Sequence, residues 1–75
     1  MDFSTIKHCF SIFQPTMAEE YPRMTINMVG GVIINIDNTK DTSISITKEN
    51  MKIETPKTIS IISLDEIIKI CIHKK

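Results

Sequence analysis

Two thiols and two imidazoles are the most reactive side chains in this chain of 75 residues. Cys9 follows His8 near one end, and Cys71 stands two residues before His73 near the other. Thiolate and neutral imidazole are ligands of tetrahedral zinc, and a thiol beside an imidazole is also how a cysteine nucleophile meets its base. The spacing argues against both. The paired Cys-x-x-Cys of structural zinc sites is absent, and although Cys71 and His73 share one side of a strand, His8 and Cys9 would point opposite ways on one. A nucleophilic cysteine also needs a group to orient its base and a pocket for substrate, and a chain this short has little room for either. The expectation is two half-buried thiols and two surface imidazoles, with no metal, no cofactor and no enzymatic activity. Cys9, Cys71 and His73 are the residues that would hold a metal if one were bound.

The carboxylates Glu19, Glu20, Asp37, Asp41, Glu49, Glu54, Asp65 and Glu66 fall mostly in turn-forming stretches. General acid–base work needs two of them in a partly dry cleft, whereas turn carboxylates are solvated or capping. Gly30 and Gly31 could cradle a phosphate, but such a loop needs spaced glycines before a helix N-terminus. Here "VIINI" follows, which is strand. The residues left as binding candidates are Tyr21 and Arg23, a tyrosine beside an arginine as at interfaces, and the polar loop set Asn35, Asp37, Asn38, Thr39 and Lys40.

The elements that must position them follow from periodicity. Met24, Ile26 and Met28 alternate with Thr25 and Asn27, and Val32, Ile34 and Ile36 continue in period two after the glycines, the mark of half-buried strands. A two-residue turn at Gly30-Gly31 would put the two apolar sets on opposite faces. A three-residue loop, Val29-Gly30-Gly31, pairs Met28 with Val32, Ile26 with Ile34 and Met24 with Ile36, and gives the glycines a structural role in the left-handed region. "TSISIT", "MKIE", "TISIIS" and "IIKICI" add further short strands, with Pro56 between the second and third. The expected core is Met24, Ile26, Met28, Val32, Ile34, Ile36, Ile44, Ile46, Ile59, Ile61, Ile68, Ile70 and Ile72. "TMAEE" and "SLDE" have capping-box chemistry for one turn each. In the first third, Phe3, Ile6, Cys9, Phe10 and Phe13 have helical spacing, with Asp2 to cap and Pro15 beyond. A strand through Ile6, His8, Phe10 and Ile12 fits as well.

These elements predict one domain over residues 1–75: a mainly β, α+β protein in which residues 3–13 form a helix or first strand. Residues 24–72 are expected to form a five- to six-stranded antiparallel barrel or strongly bent sheet. That pattern, closing on "TISIISLDEIIKICI", resembles the Sm-like and SH3-like small barrels and is reminiscent of the small YolD-like proteins of bacteria. Sm-like rings bind RNA through one loop carrying Asp and Asn, which Asp37 and Asn38 imitate. Their second loop carries Arg-Gly, where this chain has Ser63, Leu64, Asp65 and Glu66.

Composition narrows the function. Hydrophobic content of 41% and charged content of 24% are globular values. Nine basic residues balance nine acidic ones, so the basic excess of a nucleic-acid binder is missing. No apolar run approaches a membrane span, and the first residues lack a signal-peptide pattern, so a cytoplasmic protein with no membrane contact is expected. Sixteen Ile and eight Lys against one Arg read as the bias of an AT-rich bacterial, phage or large-virus genome. The expected function is a small binding protein acting through protein contacts, such as a phage- or virus-encoded inhibitor or modulator of a host factor in the host cytoplasm. The alternatives are an oligomeric small-ligand binder, of a nucleotide for instance, with pockets between subunits, and an Sm-like RNA-binding ring. Chains below about 80 residues often draw stability from partner subunits. A homo-oligomer is therefore expected, joined at the edges of "TSISIT" or "IIKICI" and by the apolar surface of residues 3–13.

Overall fold

The computed structural model describes residues 1–75. Its first element is helix α1, Phe3–Ile12, so helical spacing prevails over β propensity in this segment. Asp2 caps it: its carboxylate accepts the Thr5 N–H at 2.8 Å, satisfying one of the unpaired donors of the first turn. Gln14 is extended, at φ −102° and ψ 151°, because it precedes a proline, and the helix ends. The next turn is a 3₁₀ helix over Pro15–Met17. Pro15 starts it, needing no N–H at that position, so Thr16 lies inside the turn and the expected Thr16 capping box does not form.

Six strands follow: β1, Arg23–Met28; β2, Ile33–Asp37; β3, Ser43–Ile46; β4, Asn50–Glu54; β5, Ile59–Ser63; and β6, Ile67–His73. They form two three-stranded antiparallel sheets, in the orders β2-β1-β6 and β3-β4-β5. The expected barrel is corrected here, since no strand pairing joins the two sheets and they do not close. The ladder with β1 ends at the Asn38 N–H to Pro22 O bond, because Pro22 has no N–H to return, and the chain comes back to the first sheet through the 3₁₀ turn Leu64–Glu66, which delivers β6 onto β1.

The β1–β2 hairpin pairs Met24 with Ile36 and Ile26 with Ile34, and Met28 N–H donates to the Val32 carbonyl at 2.8 Å. Val29–Gly31 forms the connection, with Gly30 at φ 86° and Gly31 at φ 79°. Two shorter hairpins share one local device. Thr47 and Thr55 each accept backbone N–H groups on their own hydroxyl, from Glu49 and Asn50 in one case and from Lys57 and Thr58 in the other. Each thereby closes a two-residue loop.

The inner faces, together with α1, enclose an eleven-residue core of Ile6, Phe13, Met24, Ile26, Met28, Ile36, Met51, Ile53, Ile62, Leu64 and Ile67. Phe3 and Phe10, both half-buried, pack against it, so part of the apolar side of residues 3–13 is used within the chain. Four expected core residues are exposed: Val32 at 52%, Ile59 at 63%, Ile61 at 70% and Ile68 at 63%. The causes are parity shifts. The two-residue loop at Pro56-Lys57 sets Met51 opposite Ile62 and Ile53 opposite Ser60, which sends Ile59 and Ile61 to the outer face with Lys52 and Glu54. In β6 a bulge lets Asn27 pair with Lys69 but Met28 with Ile67. Ile67 therefore points inward and Ile68 is the extra residue. Val32 lies just outside β2. Ile34, Ile44, Ile46, Ile70 and Ile72 are half-buried against the core.

Two outcomes test this account. A β-carbon at Gly30 or Gly31 would meet nothing within 4 Å, so L-alanine there is opposed by backbone strain alone, about 1 kcal/mol. That lowers the melting temperature by roughly 4–8 °C in a domain of this size, whereas D-alanine introduced by chemical synthesis should leave it unchanged or raised. The Thr5 N–H holds the Asp2 carboxyl below its ordinary value of 3.8. Its contribution is thus present above that pH and lost as pH falls through the lowered folded value. Asp2→Ala should melt below the wild type at neutral pH and converge with it in acid.

Candidate functional site

The first sheet turns three rows of side chains outward. Its pairing sets Asp37, Arg23 and His73 in one row, Asn35, Thr25 and Cys71 in the next, and Ile33, Asn27 and Lys69 in the third. Thr25 is the hub. Its hydroxyl donates to Asn35 Oδ1 at 2.9 Å and lies 2.8 Å from His73 Nε2, linking all three strands. With the hydroxyl proton given to Asn35, the imidazole Nε2–H donates to Thr25. Arg23 Nε stands 3.5 Å from Asp37 Oδ1, an exposed pair worth about 0–1 kcal/mol at most.

A hydroxyl within 2.8 Å of an imidazole has the spacing of a nucleophile and its base. The remaining parts of such a site are missing: His73 has no second partner to orient it, and the depression of about 280 Å³ beside it, lined by Pro22, Arg23, Asp37 and His73, has no apolar wall to exclude water. Cys9 is on α1, where burial pushes its thiol up from the ordinary 9.0 and so disfavours thiolate. Cys71 and His73 share the outer face of β6, and no group of three His, Cys, Asp or Glu residues converges that could hold a metal ion.

The five loop candidates separate. Asn35 and Asp37 stay on β2. Asn38 does not face outward: it is the one buried polar residue, 9% exposed, and its amide donates to the carbonyls of Gln14 at 2.9 Å and Tyr21 at 3.0 Å. Its backbone N–H donates to Pro22 O, so Asn38 ties the end of the helical segment to the entry of β1. Tyr21 is half-buried against the core. Thr39 shares a hydroxyl contact with Thr42 at 3.1 Å, and Lys40 is exposed on the rim of a cleft of about 370 Å³ beside Phe10 and Pro15.

A second cleft, of about 400 Å³, opens between the edge of β2 and the β4–β5 hairpin. Ile34, Ile36 and Ile53 give it an apolar floor, and Asn35, Asp37, Thr39, Thr42, Thr55, Lys57, Thr58 and Ser60 give it a polar wall. The β2 edge above it is open. Because Met28 N–H donates to the Val32 carbonyl, the alternation of an antiparallel pair directs the N–H and C=O of Ile33, Asn35 and Asp37 away from β1. Sequence reasoning names Asn35, Asp37 and Thr39 but misses Thr25, Thr55, Thr58 and Ser60. The missing signal is the β2-to-hairpin approach, which no local spacing encodes.

No protein-family model, curated protein or solved structure matches the chain. No helix is long and apolar enough to cross a membrane.

The Asn38 geometry gives a test. Asn38→Ala should cost about 1–3 kcal/mol by removing two partly buried bonds and leaving the Tyr21 carbonyl unpaired, while Gln14 O keeps the Met17 N–H, read by chemical denaturation. Asn38→Asp should cost more at neutral pH, since it aims a carboxylate at two carbonyl oxygens. It should recover on acidification, whereas the Ala variant should not.

Proposed function

We propose that the protein is a non-catalytic binding module that takes up an extended segment of a partner protein along the free edge of β2. The observation that carries this is the conjunction at that edge. Three residues have unpaired backbone donors and acceptors, and directly beneath them lies a cleft with an apolar floor and a hydroxyl-rich wall. Strand addition draws affinity from the main-chain bonds and specificity from pockets that receive alternate side chains. The cleft receives every second side chain of the incoming strand. Its floor suits a medium-sized apolar group, and Asn35, Thr55 and Thr58 suit a polar neighbour. Lys57 and Asp37 on opposite walls leave the site without a strong charge preference.

The upward shift of the Cys9 thiol and the lack of a second partner to orient His73 support a binding role over a catalytic one. On this reading the protein modulates a factor in the cytoplasm of the cell that makes it, or of the host if the gene is a phage or viral one. The delivery of β6 onto β1 by a 3₁₀ turn supports reading the two sheets as an opened relative of the Sm-like or SH3-like small barrels. No observation favours the RNA-binding ring: Asp37 is ion-paired to Arg23, and the Asn38 amide is used within the chain. The same cleft has the volume of a small-ligand site, which makes a small polar molecule the second reading.

Selection from a random peptide library, followed by titration in nuclear magnetic resonance, tests the proposal. Selected peptides should slow amide exchange at Ile33, Asn35 and Asp37. Asn35→Pro removes an outward N–H while leaving the β1 pairing intact, and it should weaken binding by about tenfold or more. Failure of any peptide to bind below roughly 100 µM, or binding that perturbs residues away from β2 and the cleft, would overturn it.

A further inference from the structure

The other sheet carries a second open edge with different chemistry. β5 reads Ile59-Ser60-Ile61-Ile62-Ser63, with no charge, proline or glycine, and its Ile59 and Ile61 are 63% and 70% exposed. Exposed strands of this composition are the ones that natural proteins shield. Thr55 N–H donates to Thr58 O at 2.8 Å, so Ile53 and Ser60, and Met51 and Ile62, are the hydrogen-bonded pairs of the β4–β5 ladder. The N–H and C=O groups of Ile59, Ile61 and Ser63 consequently face away from β4, and no other backbone or side-chain group of the chain bonds to them.

We infer that β5 is a homodimerisation strand: two copies of this chain join β5 to β5 across a two-fold axis at Ile61, making one six-stranded sheet. Three features select a second copy as the occupant. The pairing is self-complementary, as a two-fold interface must be. Ile61 exchanges both backbone bonds with the partner's Ile61, and two residues outward Ile59 does the same with the partner's Ser63, so every free group on the edge is satisfied. On the outer face the exposed Ile61 meets the partner's Ile61, with Ile59 diagonal to it. Charge also matches, because antiparallel pairing brings Lys57, in the turn before β5, to the same end as Asp65 in the 3₁₀ turn after the partner's β5, once on each side of the axis. Lys57 and Asp65 flank opposite ends of β5 and make no ion pair within the chain.

The other edges lack this combination. Self-pairing of β3 about Ser45 would set Asp41 beside the partner's Glu49, two like charges. β6 is the strand on which α1 packs, with the Met1 ammonium donating to the carbonyls of Leu64 and Ile67. The β2 edge has Asp37 in the strand and no basic residue placed to meet it.

Analytical ultracentrifugation over the micromolar to millimolar range, with amide exchange at the same concentrations, tests the inference. The expected result is a species of twice the 8.6 kDa chain mass, with Ile59, Ile61 and Ser63 amides becoming protected as concentration rises. Ile61→Lys places two ammonium groups on the axis and should give a monomer with an unchanged circular dichroism spectrum. Lys57→Glu and Asp65→Lys should each weaken association by about tenfold, and the double variant should restore it. Only an intermolecular contact predicts that restoration, and it keeps the test valid if Ile61→Lys fails to fold. A monomer throughout the range, or a dimer indifferent to both Ile61→Lys and the charge reversals, would overturn the inference. Peptide binding at β2 should survive Ile61→Lys, so the two proposals fail separately.

Discussion

Burial of one face of β1 is the constraint on which the structure depends. β1 is the central strand of its sheet, and Met24, Ile26 and Met28 leave little or no surface to solvent. Both neighbours must register against it. β2 does so through a three-residue loop whose two glycines take positive φ, and β6 does so through a bulge that turns Ile67 inward opposite Met28. A slip of one residue in either strand would exchange a core isoleucine for an outer polar group, and a core of eleven residues has little stability in reserve for that loss.

The same economy of size explains the polar anchor. Two small sheets joined by short connections leave the helical segment to be tied down separately, and Asn38 does this with a side chain that fits between two carbonyls. Both bonds are partly buried, so the amide gains specificity as well as energy: a side chain with two donors fits the position. A residue whose type suggests a binding loop thus serves the fold. Solvent-facing polarity resides on the outer face of the first sheet, in the rows through Arg23, Thr25 and Asn27.

Splitting six strands into two sheets also leaves four edges, and their chemistries differ. β6 is accompanied by α1. β2 has an exposed ion pair at one end and a cleft beneath it, which suits selective uptake of a foreign strand. β5 has uncharged β-branched residues, open backbone groups and opposite charges at its two ends, which suits a second copy of itself. Edge exposure that would be a liability in a monomer becomes a means of assembly when both partners present the same pattern.

Local sequence alone determined the strands, the hairpin register and the N-terminal cap, because each rests on contacts a few residues apart. The alternation around Gly30 and Gly31 admits one loop length, and Asp2 reaches only its own helix. Helix and strand competed over Phe3–Ile12, and tertiary packing of Ile6 and Phe13 against the sheets agrees with the helix. Three things were decided only in three dimensions. The inward parity of β6 follows from a bulge against a strand about forty residues away in the chain. The role of Asn38 depends on carbonyls at Gln14 and Tyr21, 24 and 17 residues earlier in the chain. The candidate site joins β2 to a hairpin twenty residues later, and proximity of that kind comes from packing the two sheets, a non-local free-energy balance that no short stretch of residues carries.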